Sequence, residues 1–233
     1  MGAVNQVAIC LCMFLDERFE RTPKGERFIV GCIVVEEACW KIAYQQAKDI
    51  PQLRKSRRLR EISKLLMSSG GFGRVTIADM PSGLIQAGQR DETEDIPNMS
   101  RRDNVWSILV ATVAMAVLRR LNDHGINSAS IDLYHDSKSL TPKHSFALNQ
   151  LLREQLPRIA RELTGGSSAY RKVCEVRKSM SGPPASEIQV GTLIAHHLCS
   201  QAKKLLTDGP LSRIEFRDES EILVASAMLF EAF

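Results

Sequence analysis

The sequence predicts an α/β protein in which a mixed β-sheet is flanked by helices. Short apolar runs, suited to buried strands, alternate along the chain with longer segments of helical periodicity. Two of these runs end abruptly in carboxylates, at Asp16 and Asp136, and the second leads into a helix. With 233 residues the chain has enough material for a sizeable core, and we expect a single domain over residues 1–233.

The first strand is predicted over residues 7–15, an apolar run too short to span a bilayer. Alternation places Asp16, at its tip, on the same face as Phe14. A charged turn then leads to a second strand over residues 27–36, which pairs with the first as an antiparallel hairpin. Residues 38–68 have helical spacing and are mostly polar, and we expect them to form a helical insertion.

The middle of the chain continues the alternation of strands and helices. Residues 74–79 are predicted to be a third strand, and residues 80–98 a polar connection. The segment 101–122 is predicted to be a helix that is apolar on nearly every side and therefore sandwiched inside the domain. A strand over residues 128–136 follows, and Pro142 begins the next helix at its first position, where its missing N–H costs little.

The last third of the chain predicts a short strand over residues 170–177 and a helix over residues 185–206. An extension of about residues 207–233 follows, with a strand at 212–217 and an apolar terminal helix at 219–233. This order of elements is that of an RNase H-like α/β fold. The full prediction is an RNase H-like mixed sheet flanked by helices, with an extra C-terminal strand and helix.

Composition excludes several classes of protein. The six cysteines form no C-x-x-C pair and lie mostly in apolar runs, a pattern typical of reduced, buried cysteine in a cytoplasmic protein. No segment is expected to reach the length of a membrane span, so we expect no membrane partner. His196, His197 and Cys199 suggest a zinc site, but adjacent histidines point in different directions on a helix, which disfavours a metal role there.

The two strands that end in acids suggest chemistry on phosphodiesters. RNase H-like folds hold two divalent ions with carboxylates from the first strand tip, the fourth strand tip and a C-terminal helix. Two ions about 3.5–4 Å apart stabilise both the attacking and the leaving oxygen of a phosphodiester. The implied cofactor is Mg²⁺ or Mn²⁺, since these ions prefer oxygen ligands and acids are therefore expected to converge.

Three separated stretches resemble one family. FLDERFERTPKGERFIVGCIVV resembles the Y-I-D-E-S-G and F-V-L-G-G-V-V-V opening of an uncharacterised prokaryotic RNase H-like family, the domain of unknown function catalogued as thirty-eight hundred. IDLYHDSKSLTPKHSFALNQLLRE is similar to the strand, Asp, polar turn and helix of that family. RKSMSGPPASEIQVGTLIAHHL is similar to its closing D-S-K, loop and L-Q-x-A-D-L-I-A-G helix.

The resemblance implies a set of site residues. Asp16 matches the first acid of the family and Glu17 its neighbour, while Asp136 matches the acid after the fourth strand, with Asp132 as the alternative. The implied metal ligands are Asp16, Glu17 and Asp136. The implied catalytic residues are Asp16, Asp136, Asp132 and Glu187.

The last predicted long helix departs from the family pattern. Gln189 matches, but Gly191 and Thr192 stand where Ala and Asp are expected. The third metal-binding acid is therefore missing at its usual place. Glu187 lies earlier in the helix and would substitute for it only if the first helical turn were shifted.

Basic residues cluster in the segment 53–64, LRKSRRLREISK, which we call the basic segment. A thin apolar stripe leaves its charges on a broad exposed face. Because clustered Lys and Arg neutralise phosphates whatever the base sequence, this face is a candidate nucleic-acid-binding surface, the alternative being a solvated helix face. The candidate residues are Arg54, Lys55, Arg57, Arg58, Arg60 and Lys64.

Two functions follow as hypotheses. The first is a divalent-metal-dependent nuclease-like enzyme that acts on DNA or RNA, with prokaryotic defence or a mobile element as the context that the resemblance implies. The second is a degenerate RNase H-like module that binds nucleic acid or a partner protein without cutting, and Thr192 favours it. Nucleic acid is the expected partner in the first hypothesis, and a protein partner or a homo-oligomer stays open.

Overall fold

The computed structural model describes residues 9–23, 25–48, 61, 64, 66, 68, 70–81, 101–136, 142–176, 186–208 and 227–230. The strands are β1 Ile9–Thr22, β2 Gly25–Glu36, β3 Phe72–Pro81, β4 Ala129–Asp136, β5 Ala169–Val176 and β6 Ala227–Phe230. The helices are α1 Glu37–Lys48, α2 Arg101–Asp123, α3 Pro142–Gln150, α4 Leu156–Thr164 and α5 Glu187–Asp208, with a π-helical turn at Leu151–Gln155 between α3 and α4.

The six strands form one mixed sheet in the order β5-β4-β1-β2-β3-β6. Strands β1, β2, β3 and β6 pair antiparallel, and β4 and β5 run parallel to β1. Helices cover both faces of the sheet, so the predicted α/β class, a mixed sheet flanked by helices, is confirmed. The predicted hairpin of the first two strands is confirmed as well, and it pairs Asp16 with Gly31.

Alternation along β1 divides the core between the two faces of the sheet. Met13 and Leu15 pack with α2, α3 and α4, whereas Cys12 and Phe14 pack with α1 and α5. Asp16 follows Phe14 and shares its face, as the period of a strand requires. The face on which Asp16 lies is therefore the face that α5 covers.

Helix α2 is packed against the sheet by one long apolar side, which includes Trp106, Val110, Val113 and Val117. Its central carbonyl, at Ala114, accepts a hydrogen bond of 2.6 Å from the buried Tyr170 hydroxyl of β5. The prediction that no segment reaches the length of a membrane span is wrong for this helix. The stretch Val105–Asp123 is long and apolar enough to cross a bilayer, and more than half of it is buried in the fold.

Strand β1 is longer than predicted, because pairing with β2 continues to Thr22 opposite Gly25. The rings of Phe19 and Phe28 meet edge to face at 5.0 Å in this extension, which supports pairing along a charged sequence. Asp16 is therefore not at the end of β1. It lies where the parallel partner β4 ends and β1 continues as one strand of a hairpin.

The C-terminal extension also differs from the prediction. Residues 227–230 form strand β6, which pairs antiparallel with β3, where a terminal helix over residues 219–233 was predicted. A short apolar run fits a helix and a buried strand equally well by periodicity, and the unpaired backbone at the edge of β3 favours a strand. The strand predicted at 212–217 lies outside the described residues.

Two glycines let α5 lie close to the sheet. A Cβ atom added to Gly191 of α5 would lie 2.2 Å from the Phe14 ring, and one added to Gly31 of β2 would lie 2.7 Å from Cys199 Sγ. Real Cβ atoms do not tolerate such distances, so at each glycine a side chain of one element packs directly against the backbone of the other. This close contact fixes the position of α5 over the middle of β1.

We predict that Gly191→Ala destabilises the protein. Overpacking against the buried Phe14 ring costs about 1–3 kcal/mol, against a gain in helix propensity of at most about 1 kcal/mol, so we expect a net loss of about 1–2 kcal/mol. The free energy of unfolding in urea measures it. In a Phe14→Leu background the same substitution should cost less, and an equal cost in both backgrounds would contradict the contact.

Candidate metal centre

The register of β1 and β4 brings two predicted site residues together. The strands pair in parallel up to Leu15 opposite His135. Continuing that register by one residue places Asp16 beside Asp136, on adjacent strands about 4.8 Å apart. Both side chains lie on the α5 face, because each is two residues from a residue that packs there, Phe14 and Tyr134.

Asp16 is almost completely buried, with a relative exposure of 1%. Its Oδ1 accepts a hydrogen bond of 2.8 Å from the backbone N–H of Glu17. Its carbonyl oxygen accepts one of 3.4 Å from Cys199 Sγ of α5. Burial, first, and the charge of Asp16 raise the pKa of the Cys199 thiol, so Cys199 is a proton donor at this position and not a thiolate.

His196 of α5 contacts the carboxylate of Asp16. Its Nδ1 lies 3.1 Å from Asp16 Oδ2. That nitrogen is buried and makes no hydrogen bond, although 44% of the side chain is exposed. The sequence disfavours a metal role for His196 and does not predict this contact, because periodicity gives the face that a helical residue occupies but not the strand residue that it contacts.

The helix turn that carries His196 is tied to β1 by a further hydrogen bond. Arg18 donates from its Nη1 to the Ser200 hydroxyl at 3.0 Å. Ser200 in turn donates to the carbonyl oxygen of His196 at 3.1 Å. These two hydrogen bonds connect Arg18 of β1 to the helical turn of α5 that carries His196.

Glu17 is not brought to the same side of the sheet as Asp16. Its side chain lies on the α2 face, where Oε2 accepts a hydrogen bond of 3.1 Å from Trp106 Nε1. Trp106 in turn packs against the His135 ring, with the ring centroids 5.5 Å apart. The two neighbouring acids of the D-E pair thus have different surroundings on opposite faces.

Asp132 and Glu187 lie away from Asp16. Asp132 pairs across the sheet with Cys12 and accepts two hydrogen bonds from Arg171, of 2.9 Å and 2.7 Å, which raise the pKa of that guanidinium. Cys12 precedes Asp16 by four residues, or about 13 Å of strand. Glu187, in the first turn of α5, precedes His196 by nine residues, or about 13 Å of helix.

Thr192 is fully buried where the resembling family has an acid. Its hydroxyl donates to the carbonyl oxygen of Gln189 at 3.1 Å, within its own helix. The start of α5 is fixed by a capping box, in which Ser186 and Gln189 exchange backbone-to-side-chain hydrogen bonds of 3.3 Å. Thr192 therefore supplies packing and no carboxylate.

Within the described part of the chain, no group of three or more His, Cys, Asp and Glu side chains is arranged to hold a metal ion. The donors present at Asp16 still suit one divalent ion, because a buried carboxylate and an imidazole nitrogen without a hydrogen bond face each other. Divalent ions in phosphoryl-transfer sites commonly use one or two protein ligands and fill the other positions with water and phosphate oxygens.

The basic segment falls largely outside the described residues, which leaves out Arg54, Lys55, Arg57, Arg58 and Arg60. Lys64 is described, and it is helical and exposed. Its Nζ lies 3.3 Å from Glu61 Oε1, an exposed ion pair of the kind that contributes little to stability.

The fold defines the class of the protein. A sheet ordered β3-β2-β1-β4-β5, antiparallel in its first three strands and parallel from β1 to β5, with helices on both faces, is an RNase H-like fold. The additional strand β6 extends the edge at β3.

No family model and no curated protein matches the chain, so the resemblance of its motifs to the uncharacterised family stays a prediction. Several solved structures are similar to the chain. RNase HII from Archaeoglobus fulgidus, in a PCNA:RNase HII complex, has 14% identity and a TM-score of 0.39, with 90% of this chain and 83% of that chain covered.

Bst-RNase HIII in complex with Mn²⁺ has 16% identity and a TM-score of 0.44, and the match covers 87% of this chain and 56% of that chain. Ribonuclease H2 from Pyrococcus horikoshii OT3 has 15% identity and a TM-score of 0.39, with 90% and 82% covered. At these identities the likeness assigns no activity to this chain.

We predict that the hydrogen bond between Trp106 and Glu17 stabilises the fold. Trp106→Phe removes the donor, and because hydrogen bonds to charged groups contribute about 1.5–3 kcal/mol, we expect a loss of that order in the free energy of unfolding. Trp40→Phe is the matched control, since the contacts described for Trp40 are with the rings of Phe14 and Tyr44. Equal losses for the two variants would show that the hydrogen bond contributes nothing.

Proposed function

We propose that the chain is a divalent-metal-dependent nuclease-like protein that acts on the phosphodiesters of DNA or RNA. The observation that carries the proposal is the parallel register of β1 and β4, which puts Asp16 and Asp136 on adjacent strands at the point where β4 ends. Burying a carboxylate as deeply as Asp16 is costly unless a partner or a cation compensates its charge.

Each residue has a stated role in this proposal. Asp16 and Asp136 would hold Mg²⁺ or Mn²⁺, and the ion would supply Lewis-acid polarisation of a phosphate oxygen and activation of a water. The backbone N–H of Glu17 orients the Asp16 carboxylate through its hydrogen bond to Oδ1. Asp132, Glu17 and Glu187 do not bind the ion in this proposal, since Asp132 binds Arg171, Glu17 binds Trp106, and Glu187 lies in the first turn of α5.

The basic segment is proposed to hold the nucleic-acid backbone. Phosphate contacts by Lys and Arg position a strand without reading its bases, which suits a site that accepts DNA or RNA. Prokaryotic defence or a mobile element, and a cytoplasmic location, are proposed as the biological setting on the resemblance of the motifs alone.

We predict that Asp16→Asn removes divalent-dependent cleavage. The amide keeps the size of the side chain and loses the charge that attracts the ion, so cleavage of single-stranded DNA, RNA and an RNA–DNA hybrid should fall to background in Mg²⁺ and in Mn²⁺. Asp123→Asn, an exposed change at the end of α2, is the control and should cut as the natural chain does. Robust cleavage by a folded Asp16→Asn variant would overturn the assignment.

A second function is favoured by one observation, the buried Thr192 in place of an acid. In this alternative the chain is a degenerate RNase H-like module that binds nucleic acid or a protein partner and leaves phosphodiesters intact. Binding in the presence of a chelator, together with the absence of cleavage in Mn²⁺, would select it over the first function.

We predict that the double variant Arg57→Gln, Arg58→Gln binds nucleic acid more weakly under either function. Each lost phosphate contact should lower the slope of log K against log salt by about one. Fluorescence anisotropy at several salt concentrations measures both affinity and slope, with Lys41→Gln on the exposed side of α1 as the control. An unchanged slope would remove the basic segment from the interface.

A further inference from the structure

We propose that His196 is a ligand of the divalent cation at Asp16, in the place of the acid that Thr192 does not supply. The inference rests on the cation of the proposed function but not on cleavage. It assigns the site one imidazole nitrogen and carboxylate oxygens, and with them a preference for Mn²⁺ over Mg²⁺.

The distance between the two donor atoms fits a shared ion. Nδ1 of His196 and Oδ2 of Asp16 are 3.1 Å apart. An ion bound at about 2.0–2.2 Å to each of two atoms at a right angle separates them by about 3 Å. The separation is therefore that of neighbouring ligands around one octahedral ion.

The absence of a hydrogen bond at His196 Nδ1 favours a shared ion over a direct hydrogen bond. An imidazole N–H that bonded the carboxylate would point at Oδ2, and a bond of 3.1 Å would be recognisable by its angle. Nδ1 is buried and makes no hydrogen bond, although Oδ2 is within reach. A cation bound by both atoms would give this nitrogen a partner.

The other candidates on α5 are accounted for. The Cys199 thiol is directed to the backbone of β1, where it donates to the Asp16 carbonyl oxygen rather than facing the carboxylate. His197 is the next residue and points about 100° around the helix from His196. Thr192 lies one turn before His196 on the same stripe, and its hydroxyl is bonded within the helix.

Position along the helix explains why a histidine suits residue 196. Thr192 and His196 are four residues apart and therefore lie one above the other on an α-helix. Gly31 lets α5 approach β2 beside Asp16, and Arg18 holds Ser200 one turn further on. The imidazole of His196 then reaches the carboxylate of Asp16, with Nδ1 3.1 Å from Oδ2.

The donor set decides which ion is preferred. Mg²⁺ is held by oxygen ligands and dehydrates reluctantly, whereas imidazole nitrogen suits first-row transition ions. With one nitrogen among its ligands the site should bind Mn²⁺ more tightly than Mg²⁺. His196→Asp, which makes all the donors oxygen, should reduce that preference.

Pulsed electron paramagnetic resonance of Mn²⁺ added to the full chain tests the proposal without substrate. The natural protein should show modulation from a directly bound histidine nitrogen. His196→Gln should lose that modulation and weaken Mn²⁺ binding at least about tenfold, since even partners outside the ligand shell change metal affinity by 10–100-fold. His197→Gln is the matched control and should keep both.

The outcomes separate this inference from the proposed function. Mn²⁺ bound through Asp16 without nitrogen modulation, or equally tight binding by His196→Gln, would overturn the inference and leave the proposed function standing. Nitrogen-coupled Mn²⁺ in a protein that does not cleave would support the inference and overturn the function. Absence of any Mn²⁺ binding would overturn both, and if His196→Gln fails to fold, the modulation of the natural protein and of His196→Asp decides.

Discussion

The close contact between α5 and the sheet is the constraint on which the rest of the structure depends. At Gly191 the Phe14 ring packs against the helix backbone, and at Gly31 the Cys199 side chain packs against the strand backbone. A side chain at either position would lift the helix from β1 and β2. With the helix in contact, His196 and Cys199 are the residues that lie over Asp16.

The contact also determines how a buried acid is tolerated in the middle of a sheet. Oδ1 of Asp16 accepts a hydrogen bond of 2.8 Å from a backbone N–H, and Nδ1 of His196 lies 3.1 Å from Oδ2. Desolvating a carboxylate is expensive, so each of these groups offsets part of that cost. On the opposite face, the hydrogen bond from Trp106 to Glu17 offsets part of the same desolvation cost. The two neighbouring acids therefore have different surroundings.

Much of the fold is predictable from periodicity, and the failures have physical causes. The face of Asp16, the hairpin and the buried helix α2 follow from local patterns along one segment. The length of β1 beyond Asp16 and the strand β6 depend on pairing partners, which a local pattern does not contain. The contact between His196 and Asp16 is missed for the same reason, because it joins a helix and a strand that are 180 residues apart in the chain.

A crystal structure of the full chain soaked in Mn²⁺ and measured at the manganese absorption edge tests the central claim most directly. The account predicts one anomalous peak at Asp16, within about 2.0–2.4 Å of Asp16 Oδ2 and His196 Nδ1. A well-ordered structure with no peak there, and with His196 Nδ1 hydrogen-bonded directly to the carboxylate of Asp16, would contradict it.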